Sequence, residues 1–325
     1  MQTGVTIGLL TLIFSRTGFA KDAARVLTES RVGWVSIALV CALIVQLFQL
    51  WRWRICMLIQ GIELPLLHVL RLYGLSLFSS LLFLGPLGGD AVRILLLIRE
   101  GANRQRAAVS VLMDRISGLG ALILVAGGFT VARIEWFAAD PLAAGLVWIF
   151  GTYLACSAAL LALSFVVGRK GWLEHLAQRV PARTALIEMV RAWDAFSRQW
   201  GRAAFAILIS LGALMVYLTM FLACAEAFGL RTGWRDIFAV VPVADAFAAL
   251  PVSVAGLGVR EKLFETMLHR LSGVEMNAAV IVSLAGFTCM SLWSALGIVC
   301  LPGYCRARGE RLTVRELQEE AVGSK

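Results

Sequence analysis

Residues 32–50 carry no charged side chain, and neither do residues 141–167 or 278–301. A helix needs about 20 apolar residues to cross the hydrocarbon core of a bilayer. Backbone at that depth must bond to itself, so these runs must be helices. Further apolar stretches fall at 3–16, 66–84, 107–131, 203–229 and 237–255. Charged residues make up 16% of the chain and mean hydropathy is +0.81, against about 25% charged in soluble domains. The expected fold is all-α, a polytopic membrane helix bundle.

Two short apolar segments, 90–98 and 258–270, each follow a Gly-rich interruption. As a helix, 90–98 rises only about 14 Å, roughly half the hydrocarbon thickness. Each therefore reads as the second arm of a re-entrant hairpin, 66–98 and 237–270. That gives about eight membrane segments: six full crossings plus two re-entrant hairpins. The apolar residues 4–14 lack a basic flank and a cleavage site, so they read as part of a retained first helix.

With the N-terminus inside, segments 51–65, 99–106, 168–202 and 302–325 are cytoplasmic. They hold seventeen Lys and Arg, against seven in the outside segments 16–31, 132–140 and 230–236. This bias supports cytoplasmic N- and C-termini. Only 16–31, with Arg16, Lys21, Arg25 and Arg31, fits poorly. The two hairpins then enter from opposite sides, which is a weak inverted repeat with an offset near 170 residues. Gly88 falls on Gly258 and Asp90 on Arg260. The expected organisation is one membrane domain, 1–301, with repeats of about 1–140 and 141–301, then a cytoplasmic tail, 302–325. Inverted repeats with broken helices are a transporter pattern.

The interruptions carry the chemistry. Gly88, Gly89, Asp90 and Arg93 stand where the first hairpin restarts. Free N–H groups at a helix start there would suit a phosphate or carboxylate, while Asp90 as a simple cap and Arg93 reaching the interface is the plainer alternative. Asp114 and Arg115 lie two turns into the following crossing. Charges at that depth need partners, and the cheapest arrangement pairs Asp114 with Arg93 and Arg115 with Asp90. Such pairs lock helices together, with or without a substrate contact. The second interruption holds Gly256, Gly258, Arg260 and Glu261, with Arg260 facing an anionic head group and Glu261 orienting it. Lys262 adds charge there or reaches water. Asp245 is a lone intramembrane carboxylate, open to proton coupling or to pairing with an arginine of the same region.

Residues 168–202 place Leu186, Val190, Trp193 and Trp200 on one face and arginines on the other, an interfacial amphipathic helix. The seven cysteines and the scattered His68, His175 and His269 show no metal-ligand spacing. No metal and no cofactor are expected. There is no nucleophile triad or P-loop, and Gly256-Leu-Gly258 is too short for a nucleotide fingerprint. The net charge of +9 is spread over loops and a tail, so nucleic acid is not an expected partner.

Leu87-Gly-Gly-Asp-Ala-Val-Arg93 with Asp114-Arg115, and Leu250 through Glu261, resemble the two signatures of the lysylphosphatidylglycerol synthase transmembrane-region family, also called flippase-like or UPF0104 proteins. The resemblance spans essentially the whole chain. It implies an inner-membrane protein with about eight membrane segments, whose relatives move a lipid between leaflets. Asp90, Arg93, Asp114, Arg115, Arg260 and Glu261 match motif positions. Two departures stand out. Only residues 302–325 follow the last apolar run, so neither a soluble aminoacyl-transferase domain nor lipid synthesis is expected. Where the family often has a basic residue near 286, this chain has Gly286-Phe287.

The expected function is translocation of an anionic or zwitterionic phospholipid, or a polyprenyl-type glycolipid, with a lipid head group as the ligand held between the hairpins and no catalytic residues. The alternative is a non-catalytic accessory or scaffold subunit whose partner is an envelope-lipid biosynthesis enzyme. Membrane glycosyl transfer would need a carboxylate pair on a water-exposed loop, and none is seen.

Overall fold

The computed structural model describes Thr28 and residues 30–82, 86–169, 198–230, 232–248 and 258–308. Among these the chain is helical, without strands. The helices are α1 (Val32–Ile59), α2 (Leu66–Leu82), α3 (Pro86–Arg99), α4 (Arg104–Ala132), α5 (Ile134–Ala138), α6 (Pro141–Arg169), α7 (Trp200–Ala227), α8 (Trp234–Ala248), α9 (Val259–Ser272) and α10 (Met276–Leu296). A 3₁₀ turn, Gly297–Val299, leads into α11 (Cys300–Arg308).

Five stretches are long and apolar enough to cross a membrane: α1, α4, the Pro141–Ala159 part of α6, α7, and Met276–Cys305. The chain is a multi-pass membrane protein. The expected crossing at 3–16 and most of the amphipathic segment, 170–197, lie outside the described residues.

The interruptions form paired short helices, as the segment lengths predict. α2 packs on α3 and α8 on α9. With 17, 14, 15 and 14 residues, they rise only about 21–26 Å each, less than the core's 30 Å. The first restart differs from expectation in one respect. α3 begins at Pro86, so Leu87, Gly88 and Gly89 are its first turn and not a break ahead of it. Proline suits the first helical position because its missing N–H would be unpaired there anyway.

Local sequence sets several other boundaries. Asn103 Oδ1 accepts the N–H groups of Gln105 and Arg106 and starts α4. Asp140 Oδ1 accepts those of Leu142 and Ala143 and starts α6. Gly273, at φ 66°, ends α9 in the left-handed conformation. At the other end of the chain, the helix runs through Pro302 to Arg308 and buries Tyr304. Pro302 is only the third residue of α11, where its missing donor costs little. The remainder of the tail, 309–325, lies outside the described residues.

The described residues fall into two compact units. Of the described residues, one unit takes 46–82, 86–121, 157–169, 198–212 and 293–308 and contains the first hairpin helices. The other takes Thr28, 30–45, 122–156, 213–230, 232–248 and 258–292 and contains the second pair. In the first-hairpin unit, Trp53, Leu72, Tyr73, Val92, Leu96, Leu97 and Tyr304 form the core between α1, α2, α3 and α11. α2 meets the 3₁₀ turn backbone to backbone. A Cβ on Gly297 would fall 2.1 Å from the Gly74 carbonyl oxygen, so both crossings must be glycine. A second cluster, including Ile55, Cys56, Met113 and Ala206, joins α1, α4 and α7. In the second-hairpin unit, Phe129 of α4 packs edge-on against Trp234 and Phe238 of α8 and seats the hairpin's mouth.

Candidate functional site

Each hairpin organises a polar cluster within its own unit. In the first, the packing of α1, α4 and α7 brings Arg52, Asp114 and Ser210 together. Arg52 Nε donates to Asp114 Oδ1 at 2.6 Å, and its Nη1 donates to Ser210 Oγ at 3.3 Å. From α3, Arg93 Nη1 donates to Asp114 Oδ2 at 3.1 Å and Nε to Ser76 Oγ at 3.0 Å. The Arg93 guanidinium also lies over the rings of Trp53 and Tyr73, at 5.2 and 4.8 Å. Asp114 is 1% exposed. Its two oxygens are thus shared between two arginines inside a packed core.

Asp90 and Arg115 make a separate, more open pair. Arg115 Nε and Nη2 donate to the two carboxylate oxygens of Asp90 at 2.8 and 2.7 Å. This is the fork-on-carboxylate geometry that guanidinium favours. The Arg115 side chain remains 47% exposed while Asp90 is 14% exposed. Arg93 Nη1 stands 3.8 Å from Asp90 and links the pair to the buried triad. Both pairings expected from the sequence, Asp114 with Arg93 and Arg115 with Asp90, are present. Asp90 is the fifth residue of α3 and its carboxylate serves Arg115, so it is not a cap.

Arg52 went unnoticed in the sequence because 51–65 reads as a cytoplasmic loop, whereas α1 continues to Ile59. One signal was available. Gly118 lies one turn beyond Asp114, and a Cβ there would be 2.9 Å from Arg52 Nη1, so the glycine leaves room for the guanidinium. The motif glycines have structural duties as well. A Cβ on Gly89 would be 2.8 Å from the Ser76 carbonyl oxygen, so Gly89 lets α3 lie directly on α2. Gly88 is half-buried in the same turn.

The second cluster centres on Arg260, near the start of α9. Its Nη2 donates to Glu261 Oε1 at 3.3 Å and to the Ser283 carbonyl at 3.2 Å, and its Nε to Ser283 Oγ at 3.3 Å. Asp245 Oδ1 of α8 is 3.7 Å from Arg260 Nη1, and Asp245 Oδ2 accepts the Tyr217 hydroxyl of α7 at 2.8 Å. Glu261 is fully buried, and its Oε2 accepts the Gly258 N–H at 2.6 Å. Gly258 itself stands at φ 86°, a conformation open to glycine and strained for other residues. Lys262 turns instead to Glu265, at 3.1 Å. Gly256 lies outside the described residues. Tyr217 and Ser283 were not singled out in the sequence, since a hydroxyl in an apolar helix gives no signal until its partner is placed.

The Gly286-Phe287 departure acquires a physical form here. A Cβ on Gly286 would lie 2.4 Å from the Phe221 ring, which fills the space beside it. Phe221 and Phe287 both lie near the Arg260 guanidinium, at 5.8 and 5.4 Å. Aromatic rings therefore flank the Arg260 guanidinium.

Polar contacts lie at the open ends of both hairpins. Arg133, after α4, pairs with Asp236 of α8, which also accepts the Ser272 hydroxyl at the end of α9. Arg270 donates to Asp140 at 2.8 Å. The backbone N–H of Ala143 and the Arg270 guanidinium hold the Asp140 carboxyl below its ordinary range. In the first hairpin, His68 at the start of α2 faces Glu100 after α3 at 3.0 Å. Among the described residues, no three His, Cys, Asp or Glu side chains are grouped to hold a metal ion.

A sequence model of one family, described as "Lysylphosphatidylglycerol synthase TM region", matches residues 1–297. No curated protein matches the chain.

Proposed function

From the premise that this chain belongs to the lysylphosphatidylglycerol synthase transmembrane-region family, we propose that it moves a lipid between the leaflets of a bacterial inner membrane. The cargo is an anionic or zwitterionic phospholipid, or a polyprenyl-type glycolipid. Both termini are cytoplasmic, and no bond of the lipid is made or broken.

The observation that carries the proposal is the Asp90–Arg115 pair. Arg115 is a guanidinium within a membrane-spanning helix whose side chain is nearly half exposed. A charge in a span is costly unless it faces protein or water, so this exposed fork supports a head-group contact. The five charged groups of the first cluster comprise three arginines and two aspartates, an excess of one positive charge. A phosphate oxyanion is the complement. Arg93, which is committed to Asp114, Ser76 and two rings, serves as a support for the site and not as a contact.

The test is a head-group-labelled lipid flip assay in proteoliposomes. Arg115→Ala is expected to slow flipping at least tenfold, with the protein still folded. Equal rates for wild type and variant would overturn the assignment. The saturated Arg52–Asp114–Arg93 triad favours a second reading for that part of the protein, a lock of the kind a non-catalytic accessory subunit would use. Under that reading Arg115→Ala leaves lipid movement unchanged, and the protein instead co-purifies with an envelope-lipid biosynthesis enzyme.

A further inference from the structure

The second cluster has the opposite charge balance. Asp245 and Glu261 surround one guanidinium, Arg260, and Lys262 is matched by Glu265. The link between α8 and α9, residues 249–257, contains no charged residue. The described groups therefore hold one negative charge in excess. α8 has risen about 16 Å from Trp234 when it reaches Asp245, about half the thickness of a hydrocarbon core. An unmatched charge there is expensive.

We infer that Asp245, and not Glu261, is a proton-binding site that takes up one proton. The two carboxylates are not equivalent. Glu261 is fully buried and accepts three donors: the Gly258 N–H, the Ser283 hydroxyl and Arg260. Those donors occupy both of its oxygens. The Asp245 side chain is 27% exposed, and its contact with Arg260 is long, at 3.7 Å. The other groups facing Asp245 are Tyr217 of α7 and, beyond Arg260, Glu261 of α9. A proton arriving from water forms an O–H bond at Asp245 Oδ1, and no bond of the protein is broken. Oδ2 continues to accept the Tyr217 hydroxyl, and Arg260 keeps Glu261 and Ser283.

The consequence is local. Asp245 lies three residues before the end of α8 and Arg260 at the second position of α9. Their ion pair is the tie across the hairpin's tip, while Asp236 with Ser272 ties its mouth. Protonation cancels the tip tie and leaves the mouth closed. The protonation site stands on this geometry alone. Only its coupling to transport rests on the reading of lipid translocation.

Infrared difference spectra of the full chain in nanodiscs test the inference. They are recorded between about pH 9 and pH 5.5, where ordinary carboxyls stay ionised. Wild type is expected to gain the carbonyl band of one protonated carboxyl as pH falls. Asp245→Asn should abolish the band and Glu261→Gln should retain it. Asp245→Glu, which keeps a titratable group, should move it. A band that persists in Asp245→Asn, or no band in wild type, overturns the inference. Flip assays on the same samples are read separately. A wild type that flips no lipid at any pH removes the transport reading and leaves the infrared assignment intact. The expected result is a pH-dependent flip rate in wild type, changing at least fivefold, and a flat one in Asp245→Asn.

Discussion

Replacing Asp114 by leucine takes the shared carboxylate from between two arginines. Arg52 and Arg93 are 8% and 5% exposed, so neither can turn to water without moving a helix. Removing one partner from a buried ion pair costs about 3–5 kcal/mol. Arg93 keeps Ser76 and stands 3.8 Å from Asp90, which offsets part of the loss. The expected cost is about 3 kcal/mol. Arg52→Leu differs because Asp114 retains Arg93 at 3.1 Å and the cluster's excess positive charge disappears. One charge-assisted hydrogen bond goes, worth about 1.5–3 kcal/mol, and neutralisation returns some of it, leaving about 1 kcal/mol. A neutral hydrogen bond between membrane helices averages only about 0.6 kcal/mol, so the gap between the variants reports on charge. Reversible unfolding in mixed detergent, followed by tryptophan fluorescence, measures both. The double variant should cost less than the sum of the singles by at least about 1 kcal/mol. If Asp114→Leu cost no more than Arg52→Leu, or if the costs simply added, the shared-carboxylate account would be wrong.

Two further outcomes follow from packing and caps. Gly297→Ala places a methyl 2.1 Å from the Gly74 carbonyl, where neither backbone can yield, and should destabilise the protein by about 3 kcal/mol; an unchanged melting temperature would refute the seam. Asp140 has a depressed folded pKa, so its contribution is full above the ordinary aspartate value near 3.9 and fades as pH falls through the folded value. The melting-temperature gap between wild type and Asp140→Ala should therefore be constant from pH 7 to about pH 5 and shrink below about pH 4; a gap that persists undiminished at pH 3 contradicts the assignment.

The sequence carries the pairing around Asp114 and Arg115 because adjacent opposite charges in an apolar run have few partners, and Asp90 and Arg93 share one helix face. It carries the two short-helix pairs for a similar reason: Gly-rich interruptions in apolar surroundings leave room for half-length helices. Helix limits were harder to read. Pro86 looks like a breaker and Pro302 like an exit, yet each sits in a first turn, where the missing donor costs little. Arg52 looked like a loop cation because a Trp-Arg-Trp-Arg run has no apolar period, although the helix continues beneath it. Tyr217 and Ser283 give no signal in the sequence, since Tyr217 needs Asp245, and Ser283 needs Arg260, to arrive from another helix. The two compact units are equally unreadable, because each long crossing contributes residues to both.

The glycine seam between α2 and the 3₁₀ turn also has a mechanical meaning. Backbone in contact with backbone, with Cys300 Sγ against Gly74, cannot slide by even a methyl's width. Tyr304 is buried in the same core as Leu72 and Leu96. The first hairpin and the C-terminal helix thus form a single lever. A probe attached to α11 would report any displacement of the hairpin that carries Asp90, without touching the hairpin itself.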